Sequence, residues 1–85
     1  MQIEILTPEK KIYDGDVFGI QLPGVSGSFE VLDRHAPLVS ALSTGVLKIL
    51  LDNKGKTNSY SITGGFIEVL NNKATVLLEN ATLTA

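Results

Sequence analysis

The sequence contains no cysteine and no tryptophan, and its only histidine is His35. Without cysteine there can be no disulfide, no thiolate metal site and no cysteine nucleophile. A single imidazole cannot supply the two or three histidine ligands that zinc sites commonly use. Asp14 and Asp16 lack the further oxygen ligands at set positions that a calcium loop needs. We therefore expect no metal, no cofactor and no small-molecule ligand.

Positive charge is also scarce. Seven lysine and arginine residues stand against nine aspartate and glutamate residues, for a net charge of −2. Nucleic-acid affinity comes largely from neutralising phosphates, so nucleic acid is excluded as a partner. No apolar run approaches the roughly 20 residues that span a bilayer. The first residues also lack the basic start of a signal peptide. Any membrane association is expected to be indirect, through a partner.

Valine, isoleucine and threonine, which favour strands, supply seven residues each. Short apolar runs alternate with turn residues, and no segment holds the helical period that an α+β fold would need. Several short strands at this spacing predict an all-β sandwich or barrel in one domain, residues 1–85. The predicted strands cover residues 2–6, residue 12, and residues 17–22, 28–32, 38–42, 46–51, 58–62, 66–70 and 74–79.

Two connections carry strong turn signals. Residues 52–55 predict a hairpin loop in which Gly55 takes a positive φ, and Asn71 and Asn72 predict a second turn because asparagine tolerates the left-handed region. Residues 14–16 are predicted as a polar turn between strands.

Catalytic motifs are not matched. Ser26 lies in a segment superficially like a nucleophile elbow, but the closing glycine and the following helix are missing. Gly64 and Gly65 have no Walker lysine or helix after them, so a bend is favoured over a phosphate site. The charged residues 33–35 could form a turn or a binding tip. From the residues alone, the chain is interpreted as a β-sandwich interaction module.

Three segments then resemble a known family. Residues 27–39, GSFEVLDRHAPLV, resemble the segment ending in His-Ala-Pro-Leu of the epsilon subunit of F-type ATP synthase. Residues 62–69, ITGGFIEV, resemble its Gly-Gly-Phe-x-Glu-Val motif, and residues 3–9 fit its first strand. The resemblance covers essentially the whole chain.

This resemblance implies a flattened sandwich of two antiparallel sheets with about ten short strands. It implies a non-catalytic rotor subunit of the central stalk, which joins the gamma subunit to the membrane c-ring. Proton- or sodium-driven rotation is then coupled to ATP synthesis. The expected location is the cytoplasmic face of a bacterial inner membrane, as a peripheral part of the complex. Most relatives continue into two inhibitory C-terminal helices, which this chain is expected to lack together with their nucleotide site.

The resemblance also implies roles for particular residues. We expect a charged, bulky side chain at Ser40 or Leu42 to weaken gamma binding and leave the fold intact. Serines at 26 and 28 replace the acidic residues of many relatives, which leaves hydrogen bonds for the ring contact. The gamma-facing residues would be Thr7, His35, Pro37, Leu38, Ser40 and Leu42. The ring-facing loop would consist of Gly24, Val25, Ser26, Gly27 and Ser28, with Glu30 close by. The residues with a structural role would be Gly64, Gly65 and Phe66.

An alternative is a free-standing β-sandwich module that binds a peptide or a carbohydrate. Sugar sites usually stack on exposed tryptophan or tyrosine, and only Tyr13 and Tyr60 are available for that here. A small hydrolase using Ser26 and His35 is a more distant alternative.

Overall fold

The computed structural model describes residues 1–84, which form ten β-strands and no helix. Within residues 1–84 there is consequently no helix that could cross a lipid bilayer. The strands are β1 (Gln2–Leu6), β2 (Lys11–Asp16), β3 (Gly19–Gly24), β4 (Gly27–Leu32), β5 (Leu38–Leu42), β6 (Gly45–Leu50), β7 (Thr57–Ile62), β8 (Gly65–Leu70), β9 (Lys73–Leu78) and β10 (Ala81–Thr84).

The predicted all-β fold is confirmed, and eight predicted strands agree with the observed ones to within two residues at each end. Two local predictions are wrong. Residues 14–16 are not a turn but the second half of β2, where they pair with β1. The strand β10 was not predicted, because residues 81–84 are few and half of them are polar; it pairs with β7.

The strands form two sheets of five. The first sheet has the order β4-β3-β6-β7-β10, and the second has the order β5-β8-β9-β1-β2. They are joined along one side by a single pairing between Gly24 of β3 and Leu42 of β5. All neighbours are antiparallel except β1 and β9, which run parallel. A parallel pair needs a long crossover connection, and the residues between β1 and β9 provide it.

The core lies between the two sheets and consists of alternate residues of the strands. In β8, for example, Ile67 and Val69 are fully buried, while Phe66 and Glu68 are exposed. The Cα atoms extend 27 × 26 × 25 Å, so the sandwich is nearly as deep as it is wide. The largest fully buried side chains are Ile3, Ile5, Ile20, Leu22, Val31, Leu47, Ile49, Ile62, Ile67, Val69 and Val76.

Both predicted turns are confirmed. Gly55 has a φ of 102°, and the Asp52 carboxylate accepts hydrogen bonds from the Lys54 and Lys56 amides at 2.8 and 3.1 Å. These bonds hold the pKa of Asp52 below its usual range. Asn71 and Asn72 have φ values of 52° and 59°, as a tight hairpin turn with two left-handed residues requires.

Candidate partner-binding face

The orientation of β5 decides which predicted gamma-facing side chains are accessible. Its register with β8 places Leu38 opposite Val69 and Ser40 opposite Ile67. Because cross-strand partners lie on the same side of a sheet, both side chains point inward. Leu42, predicted to face gamma, belongs to the core and is 5% exposed. The expectation that a charge at Leu42 would leave the fold intact is therefore wrong, because that charge would be buried.

The outer surface of the second sheet carries an apolar row instead. Ala41, Phe66, Leu77 and Leu6 are successive register partners across β5, β8, β9 and β1. Phe66 and Leu77 are 58% and 51% exposed. With Pro8 they line an open groove of about 450 Å³. Exposed apolar side chains in a contiguous group mark interaction sites, whereas single ones need no explanation. We call the outer surface of β5, β8 and β9, with Leu6, the apolar face.

Further apolar side chains extend this face along β5 and β8. Val39 is 73% exposed and lies opposite Glu68, and Leu70 is exposed one step farther along β8. Among the ion pairs of residues 1–84, none involves Glu68. An acidic group between apolar neighbours offers one charged contact to a basic side chain of a partner.

The remaining part of the same surface, on β1 and β2, is polar and already paired. The Lys11 ammonium lies 3.1 Å from carboxylate oxygens of both Glu4 and Asp14, and Lys73 reaches Glu4 at 3.8 Å. Hydrogen bonds to Glu4 and Asp14 raise the pKa of Lys11, and Lys11 in turn lowers the pKa of Asp14. These charged side chains form ion pairs with one another and mark one border of the apolar face.

His35 and Pro37 lie beside one end of the apolar face, in the loop formed by residues 33–37. Both side chains are exposed. The loop is well defined by hydrogen bonds: the His35 amide donates to the Leu32 carbonyl at 3.0 Å, and the Arg34 amide donates to Asn72 Oδ1 at 2.6 Å. The structure thus places Pro37 next to Val39 and Leu70, and His35 two residues before it in the same loop.

Thr7 and the predicted ring-facing loop lie at the opposite end of the sandwich. Thr7 follows the last residue of β1, and its amide closes a turn by donating to the Lys10 carbonyl at 2.9 Å. Gly24 and Gly27 close the hairpin between β3 and β4, with Val25 and Ser26 at its tip. Val25 is 66% exposed. Glu30 is exposed three residues beyond Gly27 on the edge strand β4, roughly 10 Å from the tip at the usual rise of a strand.

The predicted structural residues lie at the start of β8, where Gly64 directly precedes the strand and Gly65 and Phe66 are its first two residues. Gly64 and Gly65 have φ values of 131° and 152°. A Cβ atom on Gly65 would lie 2.1 Å from the Leu77 carbonyl oxygen, so this close approach of β8 to β9 requires glycine. Phe66 is not a core residue, because its ring points outward into the apolar row.

The outer surface of the first sheet is polar by comparison. Gln21, Lys48, Ser59 and Thr84 follow one another across β3, β6, β7 and β10. Two exposed apolar side chains also lie there, Val46 of β6 at 54% and Leu32 of β4 at 38%, with the strand β3 between them. The two outer surfaces of the sandwich therefore differ in polarity, and on the second sheet the exposed apolar side chains of Phe66 and Leu77 are direct cross-strand neighbours.

The geometry does not support the catalytic alternatives. Ser26 and His35 lie at opposite ends of β4, about 20 Å apart at the usual strand rise, so they cannot act together. Within residues 1–84, no three acidic or histidine side chains are grouped as metal ligands. Tyr13 and Tyr60 are half-buried and pack against the core, so neither offers a free ring for a sugar.

The comparisons with known proteins agree with this architecture. The family described as "ATP synthase, Delta/Epsilon chain, beta-sandwich domain" matches residues 1–84. The ATP synthase epsilon chain of Pelotomaculum thermopropionicum is 42% identical over 80 residues, which cover 94% of this chain and 58% of that protein. The epsilon chain of Chlorobium limicola is 39% identical over 79 residues, which cover 93% of this chain and 89% of that protein.

A solved structure has the same fold. In the Euglena gracilis mitochondrial ATP synthase, determined by cryo-electron microscopy as OSCP/F1/c-ring in rotational state 1, one chain matches with a TM-score of 0.86 and 24% identity. The match covers 95% of this chain and 51% of that one. The ten-stranded fold, the family match over residues 1–84 and the two epsilon-chain relatives agree: this chain belongs to the family of ATP synthase delta and epsilon chains, represented here by its β-sandwich domain.

Proposed function

We propose that this chain is a non-catalytic rotor subunit of the central stalk of an F-type ATP synthase, where it joins the gamma subunit to the c-ring. Rotation driven by protons or sodium ions is thereby coupled to ATP synthesis. The single observation that carries the proposal is the apolar face on a sandwich of this family. The family relation suggests gamma and the c-ring as partners, and the apolar face offers a binding surface for gamma.

Gamma binds the apolar face together with the exposed part of the 33–37 loop. Burying the exposed half of Phe66 or Leu77 stabilises a complex by roughly 1 kcal/mol each, about half of the value for a fully exposed side chain. Glu68 and His35 give the polar contacts that fix orientation. Of the residues expected at this interface, His35 and Pro37 contribute directly. Leu38, Ser40 and Leu42 support it from the inner side of β5, and Thr7 lies at its far corner.

The c-ring contact is made by the hairpin tip, with Val25 and the serines 26 and 28. An apolar tip with hydroxyl groups forms a contact that depends little on salt, because hydrogen bonds contribute about 0.5–1.5 kcal/mol each without a net charge. Glu30 lies beyond the tip and adds charge at the margin. Since His35 and the tip lie at opposite ends of β4, one subunit can hold gamma and the ring at separate sites.

A sandwich suits this mechanical role. Closely packed interiors have low compressibility and transmit strain, so a torque applied at the tip reaches the apolar face with little loss. The chain itself carries out no bond-making step in this proposal. Its place is the cytoplasmic face of a bacterial inner membrane, where it is attached only through the ring.

The direct test is assembly. Co-expression with gamma should give a stoichiometric complex, and addition of detergent-solubilised c-ring should give a ternary complex on gel filtration. A folded chain that elutes apart from gamma at micromolar concentration would refute the proposal. The peptide- or carbohydrate-binding alternative predicts that outcome, because such a module has no reason to bind gamma.

A further inference from the structure

The amino group of Met1 is held at the centre of a polar cluster. Its ammonium nitrogen lies 2.8 Å from the Val17 carbonyl oxygen, 2.8 Å from Asp33 Oδ1 and 3.3 Å from Asp16 Oδ1. An ammonium group has three N–H donors, and each has an acceptor here. The Met1 side chain is itself buried in the core. The first residue is therefore fixed at both its side chain and its amine.

Asp33 connects this amine to the loop beside the apolar face. The same carboxylate oxygen that accepts from Met1 also accepts from Asn72 Nδ2 at 3.0 Å. The other side of that amide, Asn72 Oδ1, accepts from the Arg34 backbone amide at 2.6 Å. Arg34 has a φ of 67°, a conformation that a non-glycine residue keeps only when its surroundings hold it there. The chain of contacts runs from the amine through Asp33 and Asn72 to the backbone that carries His35.

A small chemical change at the amine would break this series of hydrogen bonds. An acyl group converts the ammonium to a neutral amide with one N–H, so two of the three donors and the charge are lost. An additional residue before Met1 would move the charge by about 3.8 Å, the distance between consecutive Cα atoms. In both cases Asp33 loses its charged partner, while the buried Met1 side chain leaves no room for the amine to shift.

We propose that the free amino group of Met1 is a modification-sensitive site that positions the 33–37 loop, and that an acyl group on this nitrogen releases the loop. The consequence for gamma binding rests on the function proposed above; the consequence for the loop does not.

The test compares two chemically synthesised chains, one with a free Met1 amine and one with an acetylated amine. Hydrogen exchange is measured by NMR at the Arg34 and His35 amides. We expect acetylation to speed exchange at Arg34 by about tenfold or more, because a charge-assisted network is lost. The Ile67 amide in the core is the internal control. Unchanged exchange at Arg34, or an equal increase at Ile67, would overturn the proposal.

Two substitutions provide a second route. Asp33→Asn removes the negative charge of the bridging group, whereas Asp16→Asn removes the charge of a carboxylate that is farther from the amine and largely exposed. Asp33→Asn should reproduce the effect of acetylation, and Asp16→Asn should change Arg34 exchange by less than about twofold. Acetylation of the Asp33→Asn protein should cause no further increase in hydrogen exchange at Arg34. Additive effects would show that the amine and Asp33 act separately, against the proposal.

Gamma affinity separates this inference from the proposed function. A looser loop with weaker gamma binding supports both. A looser loop with unchanged gamma binding supports the role of the amine and removes the 33–37 loop from the gamma interface. An Arg34 amide that stays protected refutes the role of the amine whatever the gamma affinity is.

Discussion

Phe66 and Leu77 are direct neighbours across β8 and β9, and both point away from the core although Ile67 and Val76 beside them are fully buried. Both faces of these strands are thus apolar at this point. A strand needs apolar residues on one face only to form a sandwich. The second apolar set is therefore available for a partner, and it gives the first prediction.

Phe66→Arg should lower gamma affinity by at least about tenfold, since one buried aromatic anchor is replaced by a charge. Val46→Arg is the matched control, because Val46 is 54% exposed on the opposite, polar surface of the sandwich. Isothermal titration with gamma measures both variants, and circular dichroism confirms their fold. Equal losses in the two variants, or none in Phe66→Arg, would contradict the assignment of the apolar face.

Two adjacent residues of β5 should respond in opposite ways to a new charge. Leu42→Asp places a carboxylate in the core and should cost about 3 kcal/mol or more of unfolding free energy. Ala41→Asp points outward beside Phe66, so it should cost less than about 1 kcal/mol and weaken gamma binding instead. Urea denaturation measures the unfolding free energy of each variant, provided that its dependence on urea concentration has the same slope as in the unmodified protein. A stable Leu42→Asp chain would show that β5 has the other orientation.

Gly65 should tolerate substitution less well than Gly55. Gly65→Ala would bring a methyl group 2.1 Å from the Leu77 carbonyl oxygen, so β8 and β9 would have to separate. Gly55→Ala shares the positive φ but has open space around it. We expect about 1–2 kcal/mol of destabilisation at Gly55 from backbone strain alone and clearly more at Gly65. Equal decreases of the urea unfolding midpoint in the two variants would argue against the close contact of Gly65 with the Leu77 carbonyl oxygen.

Stability should fall at both ends of the pH scale, partly through Met1 and Asp33. Burial acts to lower the pKa of the Met1 ammonium, but hydrogen bonds to Asp33 and Asp16 raise it overall above its ordinary value of 8.0. Its contribution is complete below pH 8.0 and is lost as the pH rises through the folded-state value. The hydrogen bonds from Met1 and Asn72 lower the pKa of Asp33 below 3.8, so its contribution is lost as the pH falls through that lower value.

The alkaline part of this profile is the more specific. Asp14 and Asp52 also have lowered pKa values and contribute to the acid limb. Lys11, whose pKa is raised from 10.5, affects only higher pH. Asp33→Asn should therefore flatten the stability loss just above pH 8.0 in thermal unfolding. An unchanged alkaline limb in that variant would contradict the pairing of Met1 with Asp33.

The hairpin tip should bind the ring without strong ionic contacts. Val25→Asp should weaken ring association of the gamma complex by about tenfold, since an exposed apolar side chain is lost at the contact. Glu30→Gln should have a smaller effect, and raising the salt concentration should change the affinity of the unmodified protein little. Pull-down on immobilised c-ring measures these. A steep salt dependence that Glu30→Gln removes would assign the contact to charge.

The strands could be predicted from the sequence, but the accessible face could not. Alternation in β1 and β4 and the asparagine turn at 71–72 are local signals, and they located those elements closely. β5 has the sequence LVSAL, which is apolar on both faces, so periodicity cannot say whether Leu42 or Ala41 points outward. That choice depends on the register with β8, and a shift of one residue reverses every side chain. Phe66 and Leu77 could have been noticed as extra apolar residues between buried ones.

The polar cluster around the Met1 amine could not be predicted from the sequence either. It joins four segments, at residues 1, 16–17, 33–34 and 72, which meet only when the second sheet and the β3–β4 hairpin have come together. Asp33 was visible as part of a charged tip, and Asn72 as a turn residue. Nothing local in the chain relates either of them to the first amino group.

The parallel pairing of β1 with β9 determines when this protein can fold during synthesis. Ile3 and Ile5 leave the ribosome first, yet one edge of their strand stays open until residues 73–77 have been made. Until then β1 has only β2 as a neighbour, and a two-stranded hairpin is marginal in water. Pairing over such a distance along the chain is slow to form. The nascent chain therefore exposes an apolar strand edge until residues 73–77 are available, and a chaperone that shields the first hairpin would raise the yield of folded subunit.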